Sequence, residues 1–219
     1  MTPDGQVVLE IFGEGKTDIG EGSGPDQPTK GVVSILVHAL CGRPENMLVK
    51  AKRHYQLQKG GLQRKVDFAR SQASHNQSDG AVFVVDSEGG DRELKEKRRD
   101  LERGRDNPRF DIPMAVGVAH PCIEAWLLAD AAALRRACGL PQDSEVPAEP
   151  ERLPAPRQDE RRSPKAALAH AVGARQELPS DRLWKIAREL RHLDLVRQRC
   201  PRGFAPFADE VGRRIRRLF

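Results

Sequence analysis

The run Ala81–Val85 (AVFVV) is apolar at every position and stops dead at Asp86-Ser87-Glu88-Gly89-Gly90. A strand with no polar side has both faces covered, and sheets covered on both faces are built from parallel strands joined by helices. The rest of the chain supplies the alternation that such a sheet requires. Gln6–Phe12 (QVVLEIF) is β-rich and ends at Gly13-Glu14-Gly15. Met47–His54 alternates, with Met47, Val49 and Ala51 on one side, and Ile112–Val118 makes a fourth strand weakened by Pro113.

Helical patterns fall between these runs. They are Val32–Leu40, with Thr29 as a candidate cap, Leu62–Ser74, with apolar residues at 62, 66 and 69, and the charged segment Asp91–Arg103. A fourth helix opens at Pro121 and continues through IEAWLLADAAALRRAC, with Ile123, Trp126, Leu127 and Leu134 facing inward. The order β-α-β-α-β-α-β-α predicts an α/β fold, a parallel sheet of about four strands flanked by helices. Ligands of such sheets sit beyond the carboxyl ends of the strands, where both acidic clusters fall.

Composition changes after this unit. Residues 141–164 read PQDSEVPAEPERLPAPRQDERRSP, a proline frequency that predicts an extended or disordered insertion. Two helices are expected beyond it, Arg182–Arg199 and a last one striped by Phe207, Val211, Ile215 and Leu218. The predicted organisation is therefore an α/β domain over residues 1–135, a Pro-rich insertion or linker over 140–164, and a C-terminal helical extension over 165–219 packing on the domain.

The formal charge of +5 permits a polyanionic partner without requiring one. Cys41, Cys122, Cys138 and Cys200 lie far apart with no C-x-x-C pair, so reduced thiols in a cytosol are expected rather than a disulfide framework or zinc knuckle. The first residues carry no basic stretch followed by a signal-type apolar run, and no segment approaches a membrane span. A soluble, cytoplasmic protein without a membrane partner is expected.

Gly13-Glu14-Gly15-Lys16-Thr17 invites two readings. As the end of a phosphate-binding P-loop it needs a glycine at position 10, where Glu10 stands, and a helix beginning at Lys16-Thr17, where DIGEGSGPDQP follows. Glu14 would also face the polyanion in place of a backbone amide. The other reading makes the carboxylate itself functional: two glycines let the chain turn tightly and Glu14 stands at the sheet edge. Asp86 and Glu88, two apart at a strand end, are expected to project to one side and share a hard cation such as Mg²⁺ or Mn²⁺. Glu124, in the first turn of the helix after the fourth strand, is a candidate fourth ligand or a dipole-complementing residue.

A glutamate after the first strand and an acid-x-acid pair after the third resemble the Toprim domain of topoisomerases, bacterial primases, and OLD-type and RloB-like bacterial defence proteins. The resemblance covers roughly residues 6 to 130. It implies that Glu14 acts as general acid or base and that Asp86 and Glu88 hold the metal. The chain is more closely similar to small stand-alone Toprim-like proteins encoded beside ABC-type ATPases. Their E-G-x-T-[DE] turn corresponds to Glu14-Gly15-Lys16-Thr17-Asp18, and their acidic helix motif to His120-Pro121-Cys122-Ile123-Glu124-Ala125-Trp126-Leu127-Leu128. Pro164-Lys165 and Cys200-Pro201-Arg202-Gly203-Phe204 match trailing elements of that group. Glu88 departs from it, since aspartate is usual there.

The resemblance implies a Mg²⁺-dependent nuclease cutting DNA or RNA as the effector of an ABC-type ATPase in phage defence. The alternative is a non-catalytic module that binds a metal or nucleic acid, and a P-loop-like nucleotide-binding protein is the outside alternative. Lys165 is a candidate for steadying transition-state charge, or else a solvated surface lysine. Lys16, Arg213, Arg214 and Arg217, with Arg216, are candidate phosphate contacts, or for the arginines a solvated helix face.

Overall fold

A computed structural model describes residues 5–15, 18, 20, 30–53, 60–142 and 144–219, and the side chains of 51–53 lie outside that description. The suggested Thr29 cap, the course of residues 21–29 and the nucleic-acid role of Lys16 all fall outside the described residues.

Four strands form one parallel sheet: β1 (Val7–Gly13), β2 (Met47–Arg53), β3 (Gly80–Asp86) and β4 (Met114–Ala119), in the order β2-β1-β3-β4. Helices α1 (Val32–Leu40), α2 (Leu62–His75) and α3 (Asp91–Arg105) make the crossovers. β4 begins at Met114, directly after Pro113, which has no N–H to donate but whose carbonyl accepts the Ala81 N–H at 2.9 Å. Register places Ile11 beside Val82 and Val82 beside Ala115.

Because side chains alternate along a strand, the sheet has two cores. Leu9, Ile11, Val82, Val84 and Ala115 face α1 and the C-terminal helices. Phe12, Phe83, Val85, Val116 and Val118 face α2 and α3, with the Phe12 and Phe83 rings stacked at 6.0 Å. Asp91–Arg105 shows little apolar patterning, yet Leu94 and Leu101 are buried and suffice to seat it. Glu10 points into this second layer, fully buried, where Asn76 Nδ2 (2.6 Å) and Ser78 Oγ (3.2 Å) donate to its carboxylate. That position belongs to a strand interior and not to a phosphate cradle.

The single helix expected after Pro121 is two: α4 (Glu124–Leu128) and α5 (Ala131–Cys138). Asp130 ends one and caps the other by accepting the Ala133 N–H at 3.0 Å, which a short polar side chain does better than a helix interior tolerates it. An unforeseen helix, α6 (Pro164–Ala171), starts with Ser163 as cap and Pro164 in the first turn. The expected Arg182–Arg199 helix is likewise divided into α7 (Ser180–Glu189) and α8 (Leu193–Arg199). α9 (Phe204–Arg214) then packs on β4, followed by a 3₁₀ turn at Arg216–Leu218.

Gly117 makes that last contact close enough. A Cβ there would lie 2.6 Å from Phe207 Cδ2, and the Phe207 ring is itself stacked on Trp126 at 5.3 Å.

The Pro-rich segment differs from expectation. Among its described residues it carries 3₁₀ turns at Pro150–Arg152 and Glu160–Arg162, with Pro150, Glu151 and Ala155 buried. Its anchor is Glu151, whose carboxylate accepts the backbone N–H groups of Arg202 and Gly203 at 2.7 Å each, just before α9. Proline blocks regular helix and strand but does not prevent a segment from being pinned by one buried acid. Among the described residues no helix is long and apolar enough to cross a membrane.

Candidate functional site

The strand order reverses between β1 and β3: β2 lies on one side of β1, while β3 and then β4 lie on the other. Chain exits diverge at such a switch point and leave a crevice at the carboxyl edge. Glu14 leaves β1 and Asp86 ends β3 at this crevice, and Glu124 starts α4 just beyond β4. Asp18 returns to the same place because its Oδ2 accepts the Gly15 N–H at 3.0 Å, folding the turn back on itself.

The exits of β3 and β4 are fastened together. Ser87 N–H donates to Ala119 O (2.7 Å), Glu88 N–H donates to Pro121 O (2.9 Å), and Ser87 Oγ hydrogen-bonds His120 Nδ1 at 2.8 Å. Burial, and then Arg98, hold the His120 pKa below its usual value, which favours a neutral ring. Asp86 is oriented by the Ile123 N–H on its Oδ1 (3.0 Å), and Lys97 Nζ donates to the Asp86 carbonyl at 2.6 Å.

These acids lie within range of one another's charge. Burial, reinforced by Asp18, Glu124 and Glu14, pushes Asp86 well above the carboxylate range, against the opposing pull of Lys165. Burial raises Asp18 to about 7, with Glu124 and Glu14 adding to it and the Gly15 N–H opposing. Among the described residues, Lys165 is the cation whose charge bears on Asp18, Asp86 and Glu124. Burial would lower the Lys165 pKa, but Glu124, Glu177 and Asp86 outweigh it and hold the amine charged. Its Nζ lies 3.8 Å from Glu124 Oε1 and 3.0 Å from Glu177 Oε1. Glu124 is 6% exposed, and its Oε2 has no hydrogen-bond partner among the described residues. Burial, with Glu124 and Asp86, keeps the Cys122 thiol neutral.

The site brings together Glu14, Asp86, Glu124 and Lys165 from among the residues singled out in the sequence. It also includes Asp18, which sequence reasoning passed over although it closes the E-G-x-T-[DE] turn. Glu88 is placed differently. β3 ends at Asp86, and Glu88 has a left-handed φ of 55°, so strand alternation no longer governs its direction. Its carboxylate pairs with Arg157 Nη2 (2.9 Å) and Lys97 Nζ (3.7 Å).

The terminal arginines are elsewhere too. Arg213 and Arg214 each pair with Glu210 at 3.1 Å, and Arg217 is exposed. Ile215 and Leu218 abut Gly80, the first residue of β3, so this run sits at the opposite edge of the sheet from Asp86. The span of β3 puts roughly 20 Å between them.

All the donors here are hard oxygens, as Mg²⁺ or Mn²⁺ prefers, and the unpartnered Glu124 oxygen and mutually repelling acids fit a missing positive charge. Among the described residues no three His, Cys, Asp or Glu side chains stand close enough to cage an ion unaided. That arrangement suits Mg²⁺, which usually keeps several waters and takes one or two carboxylates together with substrate phosphates. The chain matches no protein-family model, no curated protein and no solved structure.

Proposed function

We propose that the chain is a Mg²⁺- or Mn²⁺-dependent, Toprim-like phosphodiesterase that cuts DNA or RNA in the cytoplasm. Its partner would be an ABC-type ATPase in phage defence, a role that rests on the order of the short motifs alone. The chemistry rests on one observation: at the switch point of a parallel sheet Asp86 lies within range of the charges of Asp18, Glu124 and Glu14, opposed by Lys165.

Asp86, held by the Ile123 N–H, and Glu124, with its unpartnered oxygen, are the residues that would hold the ion. Bound there, it would neutralise charge on the scissile phosphate. Glu14, half-buried at the mouth of the crevice, handles the proton of the attacking water. Lys165, fixed as a cation by its acidic neighbours, steadies the charge that builds on phosphate oxygens. Asp18 anchors the turn that carries Glu14.

The test is cleavage of plasmid DNA and tRNA with Mg²⁺ or Mn²⁺ by wild type, Glu14→Ala and Asp86→Asn, with and without a co-expressed ATPase. Cleavage by wild type that both substitutions abolish, with unchanged melting behaviour in Glu14→Ala, supports the enzyme. Absence of cleavage under every condition leaves the non-catalytic binding module as the reading.

A further inference from the structure

The Pro-rich segment does more than bridge two helical regions. Together with α6 and the loop after it, it encloses a cavity of about 600 Å³. Arg157, Arg161, Lys165, His170 and Arg175 line this cavity, against only Glu160 and Glu177. Two contacts join it to the acid cluster: Lys165 lines the cavity and also faces Glu124, and Arg157 lines it while paired to Glu88 at the exit of β3. Arg161 and Arg175 are exposed, and neither side chain has a hydrogen bond or ion pair among the described residues. By contrast, Arg105 and Arg214 are committed to Glu210 and Arg136 to Glu189. No Phe, Tyr or Trp side chain lines the cavity, so charge rather than broad aromatic surface dominates its lining.

We infer that this cavity is the track for the polynucleotide backbone, with Arg161 and Arg175 binding phosphates that flank the one presented to the acid cluster. The inference rests on the nuclease reading for the identity of the polyanion and deepens it by locating the substrate path. Glu88 acquires a role in consequence: it positions Arg157, and through it the segment, instead of binding metal. Guanidinium groups suit this task because their fork of donors matches phosphate oxygens. With phosphate contacts alone, recognition is independent of sequence and falls steeply with salt.

The experiment is fluorescence anisotropy of labelled 20-nucleotide single-stranded DNA and RNA, in EDTA, over a salt series, with the full chain. Wild type is expected to bind, and Arg161→Glu/Arg175→Glu to bind at least tenfold more weakly. The slope of log affinity against log salt should fall by about 1.4 in the doubly substituted chain, about 0.7 for each lost phosphate contact. Arg161→Lys/Arg175→Lys should recover most of the affinity, a result that a merely structural role would not give. Failure of both oligomers to bind, or binding by the Glu double variant within twofold of wild type, overturns the track. Arginine-dependent binding without cleavage would sustain the track and sink the nuclease, whereas cleavage with affinity indifferent to these arginines would do the reverse.

Discussion

Replacing Asp18 by asparagine should make the metal-free protein more stable while weakening its hold on Mg²⁺. Asparagine is nearly isosteric and its side-chain oxygen can still accept the Gly15 N–H, so the turn keeps its fastening. What disappears is a carboxylate that burial, Glu124 and Glu14 raise from 3.8 to about 7. A raised acid costs the folded state nothing when it is protonated in both states, and the cost accumulates as pH climbs from about 4 through about 7. The full rise corresponds to about 4 kcal/mol, and solvent reaching a half-buried side chain reduces the observable part to about 2 kcal/mol. For a chain of this size that is a gain of roughly 4–8 °C in melting temperature. The assay is a pair of thermal melts in EDTA, near pH 3.5 and near pH 8, repeated with excess Mg²⁺. The Asn variant should match wild type at the acid end, exceed it at the alkaline end, and respond less to Mg²⁺. A variant that melts at or below wild type near pH 8 without metal would refute the claim that burial among these acids makes a charged Asp18 costly.

Glu88→Gln should retain Mg²⁺ affinity within about threefold by calorimetry, while Asp86→Asn loses at least tenfold, because Glu88 is engaged with Arg157 and Lys97. Equal losses would return Glu88 to the metal site. Glu151→Ala should lower stability in urea by about 2–4 kcal/mol, since it strands the buried N–H groups of Arg202 and Gly203, and Glu151→Gln, which keeps an acceptor, should lose less. Gly117→Ala should cost about 1–3 kcal/mol through the clash with Phe207, read as a lower urea midpoint with an unchanged slope.

The sheet was legible because its signals are local. Ala81–Val85 declares a doubly covered strand, and the spacing of 62, 66 and 69 declares a helix, whatever surrounds them. Helix breaks were less so: Asp130 sits inside an apolar-periodic run, and only its hydrogen bond to the Ala133 N–H makes it a cap rather than an interior residue. The order of the Pro-rich segment was hidden for a different reason. Its anchor, Glu151, meets partners 51 and 52 positions away, and no local pattern encodes that contact.

Within the site, strand ends were read well and turns poorly. Asp86 follows from where β3 stops, but Glu88 does not follow from Asp86. The period-two rule that places both on one side holds only while φ stays extended, and at Glu88 it is 55°. The same limit explains Asp18, brought back to Glu14 by a hydrogen bond to the Gly15 N–H that a sequence window shows only as a short polar residue after a glycine turn. An acid-x-acid pair after a strand therefore fixes the place of its first acid, and the turn decides where the second charge goes. Here it goes to an arginine of the segment that walls the crevice, so that an acid which looks like part of the metal site is joined instead to the surface over which a polyanion would pass.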